Sequence, residues 1–114
     1  MEIQVFGIKN DADTRKALRF FKERRVKVHF VDLKQWAASP GELKRFAQKF
    51  GVASLVNTGA KRYAALGLGA AHRTDERWLA TLAEEPLILR LPLVRWQQRL
   101  TVGPAESEWR DWVS

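Results

Sequence analysis

The sequence predicts an α+β sandwich in a single domain over residues 1–114, built on a mixed four-stranded sheet in the order βαβ, helical insert, ββα. Two observations at the N-terminus and one at the C-terminus predict it. An apolar stripe of helical period lies between two stretches whose apolar residues alternate, and strand, helix and strand within about 30 residues make a βαβ unit with parallel strands. Near the C-terminus, two short apolar stretches on either side of Gln97-Gln98 read as a hairpin. The stretch between, over about residues 35–85, carries helix caps and helical periodicity.

Each element has its own warrant. Residues 2–6 form the first strand, with Ile3 and Val5 on one face. Thr14, Ala17, Leu18 and Phe21 recur at helical spacing, with Asp11 or Asp13 placed to cap the free amides, and Arg15, Lys16, Arg19 and Lys22 opposite. Val26, Val28 and Phe30 alternate with Lys27 and His29, giving a strand over 26–32. Ser39-Pro40-Gly41-Glu42 opens a helix whose stripe is Leu43, Phe46, Ala47 and Phe50, and Gly51 closes it. Short helical turns are expected around 52–56 and 61–66. Thr74-Asp75-Glu76 starts another helix with Trp78, Leu79 and Leu82 inward, ended by Pro86. Residues 87–96, broken by Pro92, and 99–102 read as the last strands. Gly103-Pro104 opens a final helix with Ala105, Trp109, Trp112 and Val113 on one face. The expected core is Val5, Leu18, Phe21, Val28, Phe30, Phe46, Leu79 and Leu87. This order of elements suggests the thioredoxin-like variety of the α+β sandwich.

Composition narrows the chemistry. The 114 residues contain no cysteine, which excludes disulfides, thiolate metal sites and every cysteine-nucleophile mechanism. The two histidines, His29 and His72, are too few for most histidine-based metal sites, so neither metal nor cofactor is expected. His29 alternates with core residues and is expected to be exposed. No apolar run nears the roughly 20 residues of a membrane span, and the start MEIQVFGIKN does not read as a signal peptide, so no membrane is expected as a partner and the cytoplasm is the expected compartment.

Charge is the other signal. Twenty Lys and Arg against 13 Asp and Glu give +7. Residues 1–30 hold eight basic and four acidic residues, while 91–114 hold three of each. Such an excess attracts phosphate, nucleic acid or an acidic protein face without choosing among them. Trp96, Trp109 and Trp112 read as core or interface rather than base-stacking platforms, because their segment lacks accompanying positive charge.

Several fragments, in their order, resemble the arsenate reductase (ArsC) family, which includes the Spx transcription regulators and the YffB-type thiol reductases. They are Val5-Phe6-Gly7-Ile8-Lys9-Asn10 followed by Thr14-Arg15-Lys16-Ala17, then Leu55-Val56-Asn57-Thr58, Tyr63 through Leu68, and Thr74-Asp75-Glu76 through Glu85-Pro86-Leu87-Ile88-Leu89 to Pro92-Leu93. GIKN before a basic helix is nearest the YffB-type branch. The resemblance implies a thioredoxin-like fold, a cis-proline at Pro92, and a nucleophilic cysteine directly after Asn10, where helix amides and dipole stabilise a thiolate.

That position is Asp11. The arginine that the family carries before the late proline is Leu91 here, with Arg90 one place earlier, and a one-residue slip in a strand reverses the face. Whether Arg90 takes over is left open by the sequence. The family's Asn-Thr-Arg-Gly reads Asn57-Thr58-Gly59-Ala60, again without arginine. The resemblance thus places a degenerate site at Asp11, with Asn10, Arg15, Asn57, Arg90 and Pro92 around it, and no catalytic residue. Asp11 reads as a helix cap.

Three functions compete. The first is a non-catalytic protein-binding or regulatory module using Arg15, Lys16, Arg19 and Lys22 against an acidic protein surface. By resemblance to Spx that surface belongs to the RNA polymerase α-subunit. The second is an arsenate reductase-like or glutathione-dependent thiol oxidoreductase, in which the substrate's own thiol would do all the redox work. The third is nucleic-acid binding through the basic first helix, for which no recognised motif is present.

Overall fold

Strand β1 (Glu2–Gly7) pairs in parallel with β2 (Lys27–Asp32), and α1 (Ala12–Glu23) crosses between them, in a computed structural model that describes residues 1–70 and 72–114. The register runs from Glu2 opposite Lys27 to Gly7 opposite Asp32. On the other side of β1 lies β3 (Leu93–Trp96), antiparallel, with Val5 opposite Val94, and β4 (Arg99–Val102) completes the order β2-β1-β3-β4. Gln97, at φ 55°, turns the β3–β4 hairpin. The mixed four-stranded α+β sheet expected from the sequence is therefore present.

By its contacts the chain divides into two units, Met1–Trp36 with Leu91–Ser114, and Ala37–Arg90. The first unit holds the sheet, α1 and α5 (Glu106–Val113). Its core joins Ile3, Val5 and Val94 of the sheet to Ala17, Phe20 and Phe21 of α1 and Trp109 and Trp112 of α5. Phe20, Phe21 and Trp109 pack ring against ring, with centroids 5.2 to 5.8 Å apart. The Trp109 indole donates to Thr101 Oγ1 at 2.8 Å, so its one polar atom is satisfied inside the core. Trp96 rests half-buried on Trp112.

The contact with α5 changes which side of α1 is buried. Phe20 is 4% exposed, whereas Leu18, the residue the periodicity selected, is half-buried. Val28 and Phe30 are also half-buried, because β2 is an edge strand. The final helix starts later than Gly103-Pro104. Gly103 takes φ 69° and donates to the Pro92 carbonyl, and Ala105 is the N-cap.

The second unit comprises α2 (Pro40–Phe50), a 3₁₀ turn Val52–Leu55, α3 (Lys61–Ala65), a 3₁₀ turn Leu68–Ala70 and α4 (Asp75–Glu84), ending in a 3₁₀ turn Pro86–Ile88. Ser39 Oγ accepts from the Glu42 amide and Thr74 Oγ1 from the Arg77 amide, the two caps that the sequence signalled. Gly51 closes α2 at φ 83°, where a side chain is strained. Leu43, Phe46, Leu55, Leu82 and Ile88 form its buried interior. Leu79 is half-buried and faces a groove of about 530 Å³ between α2 and α4.

Residues 87–96 are not one strand. The stretch Pro86–Ile88 is a helical turn, before Pro92 only Leu89 pairs, in an isolated antiparallel bridge to Val56, and Leu87 is 51% exposed. Proline fixes a helix-compatible φ and cannot donate to a ladder, so Pro86 starts the turn that rotates Leu87 outward. No helix of the described residues is long and apolar enough to cross a membrane.

Candidate functional site

The start of α1 is built around Thr14. Its side chain is fully buried, and Gly7 passes so close that a Cβ there would stand 2.5 Å from Thr14 Oγ1 and Cγ2. Only glycine allows that approach. The Ile8 amide donates to Thr14 Oγ1 at 3.4 Å, and Thr14 Oγ1 in turn donates to Asp11 Oδ2 at 2.8 Å. The Thr14 amide donates to the same Oδ2, also at 2.8 Å, so Asp11 is the N-cap of α1. Its own amide donates to the Ile8 carbonyl at 2.9 Å and its carbonyl accepts from Arg15. Asp13 lies inside the first turn and caps nothing.

The carboxylate at the head of α1 is thus fixed by two donors that are themselves part of the fold. A charged acceptor at a helix N-terminus is stabilised by those amides and by the dipole. Asn10 beside it is exposed, as is Arg15. Peptide Leu91–Pro92 is cis, and Pro92 is buried one residue before Leu93, which pairs with Phe6. Pro92 therefore lies at the sheet end where β1 gives way to the loop before α1. Leu91 is buried at 9% exposure.

Asn57 and Arg90 belong to the second unit, where the Val56–Leu89 bridge joins their segments. Asn57 donates from its amide to the Ile88 carbonyl, and the Arg90 amide donates to the Leu55 carbonyl, both at 2.8 Å. The Asn57 side chain accepts from the Gly59 amide at 3.1 Å, a local turn that uses its carbonyl oxygen. The Arg90 side chain is exposed.

A family model for the ArsC family matches residues 6–112. The chain belongs to the ArsC family. Among solved structures it is similar to a YffB protein, at 18% identity over 98% of this chain and 99% of that one, with a TM-score of 0.90. It is similar to an arsenate reductase from Vibrio cholerae at 20% identity, 97% of each chain and TM-score 0.83. It also matches an ArsC-family-related protein from Bacteroides fragilis at 22% identity, 97% of each chain and TM-score 0.85. These likenesses carry the shared thioredoxin-like fold. No curated protein matches it. This ArsC-family chain is a divergent member, since it has no cysteine at any position.

The basic face of α1 is the other candidate surface. Arg15, Lys16, Arg19 and Lys22 are all exposed, and none makes an ion pair among the described residues. Residues 15, 19 and 22 fall on one stripe by helical spacing, with Lys16 beside it. Arg24 does not join them: its Nη1 donates to the Phe20 carbonyl at 3.1 Å and its guanidinium lies 3.7 Å over the Phe20 ring. Lys16, Arg19 and Arg24 line a groove of about 340 Å³ toward α5, with Glu23 and Glu106 interleaved.

Sequence reasoning placed the cap but missed the role of Thr14, which it counted among apolar positions. The signal was available, because Asp-x-x-Thr at a helix start lets one carboxylate bind both amide and hydroxyl three residues on. Elsewhere, Arg62 makes a bidentate pair with Glu85 at 2.8 and 3.0 Å. The hydrogen bonds from Arg62, and then its charge, hold the Glu85 carboxyl below its ordinary range and raise the guanidinium.

Proposed function

We propose that this chain acts without catalysing, as a protein-binding or regulatory module of the ArsC family that presents the basic face of α1 to an acidic protein surface. The observation that carries the reading is the bonding of Asp11, which by resemblance holds the family's nucleophile position. A thiolate there would need a cysteine, and its place is taken by a carboxylate whose Oδ2 accepts two hydrogen bonds from Thr14. Thiol–disulfide exchange proceeds through attack by a thiolate, which this chain lacks. What remains available for function is a helix with four exposed cations, Arg15, Lys16, Arg19 and Lys22, without an ion pair among the described residues.

An acidic protein face suits this helix better than a phosphate backbone. Asp11, Asp13 and Glu23 break the positive field that duplex DNA would engage along its length. The resemblance to the Spx branch makes the α-subunit of RNA polymerase the first partner to try. The test is surface plasmon resonance against purified α-subunit at two salt concentrations, with the wild type and the double variant Arg19→Glu, Lys22→Glu. Complementary charge acts chiefly on association, so the variant is expected to associate about tenfold more slowly or worse, while the wild-type rate falls with salt. Its melting temperature should hardly change, because both positions are exposed. Unaltered association of the variant contradicts the proposal. Tight binding of random duplex DNA, lost in the variant, favours nucleic acid instead.

A further inference from the structure

Within the second unit, a cavity of about 260 Å³ gathers polar groups whose bonding capacity is largely unused. Arg73 is half-buried against its wall. Its guanidinium stands 5.7 Å from the centre of the Trp78 ring, and Nη1 donates to Thr81 Oγ1 at 3.0 Å. Its Nε is shut off from solvent without an acceptor, and no carboxylate of the described residues pairs with it. An enclosed polar atom without a partner costs free energy, and the lack of a carboxylate sets this half-buried guanidinium apart from the paired Arg62 nearby in sequence. Tyr63 and Thr58 line the same cavity, and neither side-chain hydroxyl is hydrogen-bonded among the described residues.

The rest of the lining limits what fits. Val52, Ala53, Val56 and the Trp78 ring supply apolar walls, and Asp75 is the one acid. With Arg73 it brings the formal charge of the lining to zero, which tolerates a single negative charge but opposes a second. The volume lies below the range of about 300–1,000 Å³ typical of pockets for drug-sized ligands. We propose that this cavity binds a small apolar monocarboxylate, of about the size of benzoate. The carboxylate would sit on the open edge of the Arg73 guanidinium with the Tyr63 and Thr58 hydroxyls as further donors, and the apolar body against Trp78 and the valines. Arginine suits this role because its planar fork matches a carboxylate. The proposal does not depend on the partner proposed for the α1 surface.

The experiment is a nuclear magnetic resonance titration of the full chain with benzoate, and separately with inorganic phosphate, following the Trp78 indole N–H. Benzoate should give a saturable shift in the millimolar range, and phosphate a weaker one. Arg73→Gln should weaken benzoate about tenfold or more, as loss of a charge-assisted hydrogen bond does. Tyr63→Phe keeps the guanidinium and should weaken binding severalfold, which decides the matter if Arg73→Gln fails to fold. Asp75→Asn should strengthen phosphate. A Trp78 signal that does not saturate with benzoate overturns the proposal. So does unchanged benzoate affinity in Arg73→Gln or, should that variant not fold, in Tyr63→Phe, or phosphate binding more tightly than benzoate to the wild type.

Discussion

Replacing Asp11 by alanine separates a structural carboxylate from a reactive one. Two hydrogen bonds end on Asp11 Oδ2, one from the Thr14 amide and one from the Thr14 hydroxyl, each 2.8 Å long. Loss of an N-cap costs about 1 kcal/mol. Loss of the hydroxyl's bond to a charged acceptor adds about 1.5–3 kcal/mol, because Thr14 is fully buried. The sum is about 3 kcal/mol. For a chain of 114 residues the entropy of unfolding makes each kcal/mol worth about 4 °C in melting temperature, so Asp11→Ala should melt about 12 °C lower. Asp11→Asn keeps an oxygen at the cap and should lose only about 1 kcal/mol. Circular dichroism melts, with urea titrations to check that the m-value is unchanged, measure both. An Asp11→Ala variant melting within about 2 °C of the wild type refutes the reasoning, because a carboxylate that costs nothing to remove is not holding the helix.

Two further outcomes test the packing and the charges. Trp109→Phe removes the indole that donates to Thr101 Oγ1, itself 2% exposed, and should cost about 2–3 kcal/mol, read from the urea midpoint by circular dichroism. Glu85→Gln should flatten the acid side of the stability–pH curve. The folded carboxyl is lowered below its ordinary value of 4.5, so its contribution is present above that value and is lost as the pH falls through the lowered one. A wild-type curve with the same acid-side slope as the variant contradicts this.

The sequence was most legible where local chemistry and tertiary contacts agree. The βαβ unit, the Ser39 and Thr74 caps and the Asp11 cap all follow from a few neighbouring residues, and the structure bears them out. It was least legible where packing partners decide. Leu87-Ile88-Leu89 is a short apolar run that periodicity alone cannot assign to strand or helix, and Pro86 settled it as a turn with Leu87 outward. The choice of Phe20 over Leu18 depended on where α5 lies, which α1 does not encode. The absence of cysteine was plain in the sequence, whereas the Gly7–Thr14–Asp11 packing needed β1 beside α1. The Arg73 cavity left no local trace, because Thr58, Tyr63 and Trp78 are spread over 21 positions.

The central claim is that the family's reaction is absent from this chain. Its most direct test is turnover by the purified protein, with arsenate and glutathione in one assay and a glutathione mixed disulfide in another, for the wild type and Asp11→Asn. The expected result is a rate at the uncatalysed background for both proteins with both substrates, since the protein has no thiolate with which to form a mixed disulfide. Turnover by the wild type that disappears in Asp11→Asn would contradict the account and assign the carboxylate a chemical role.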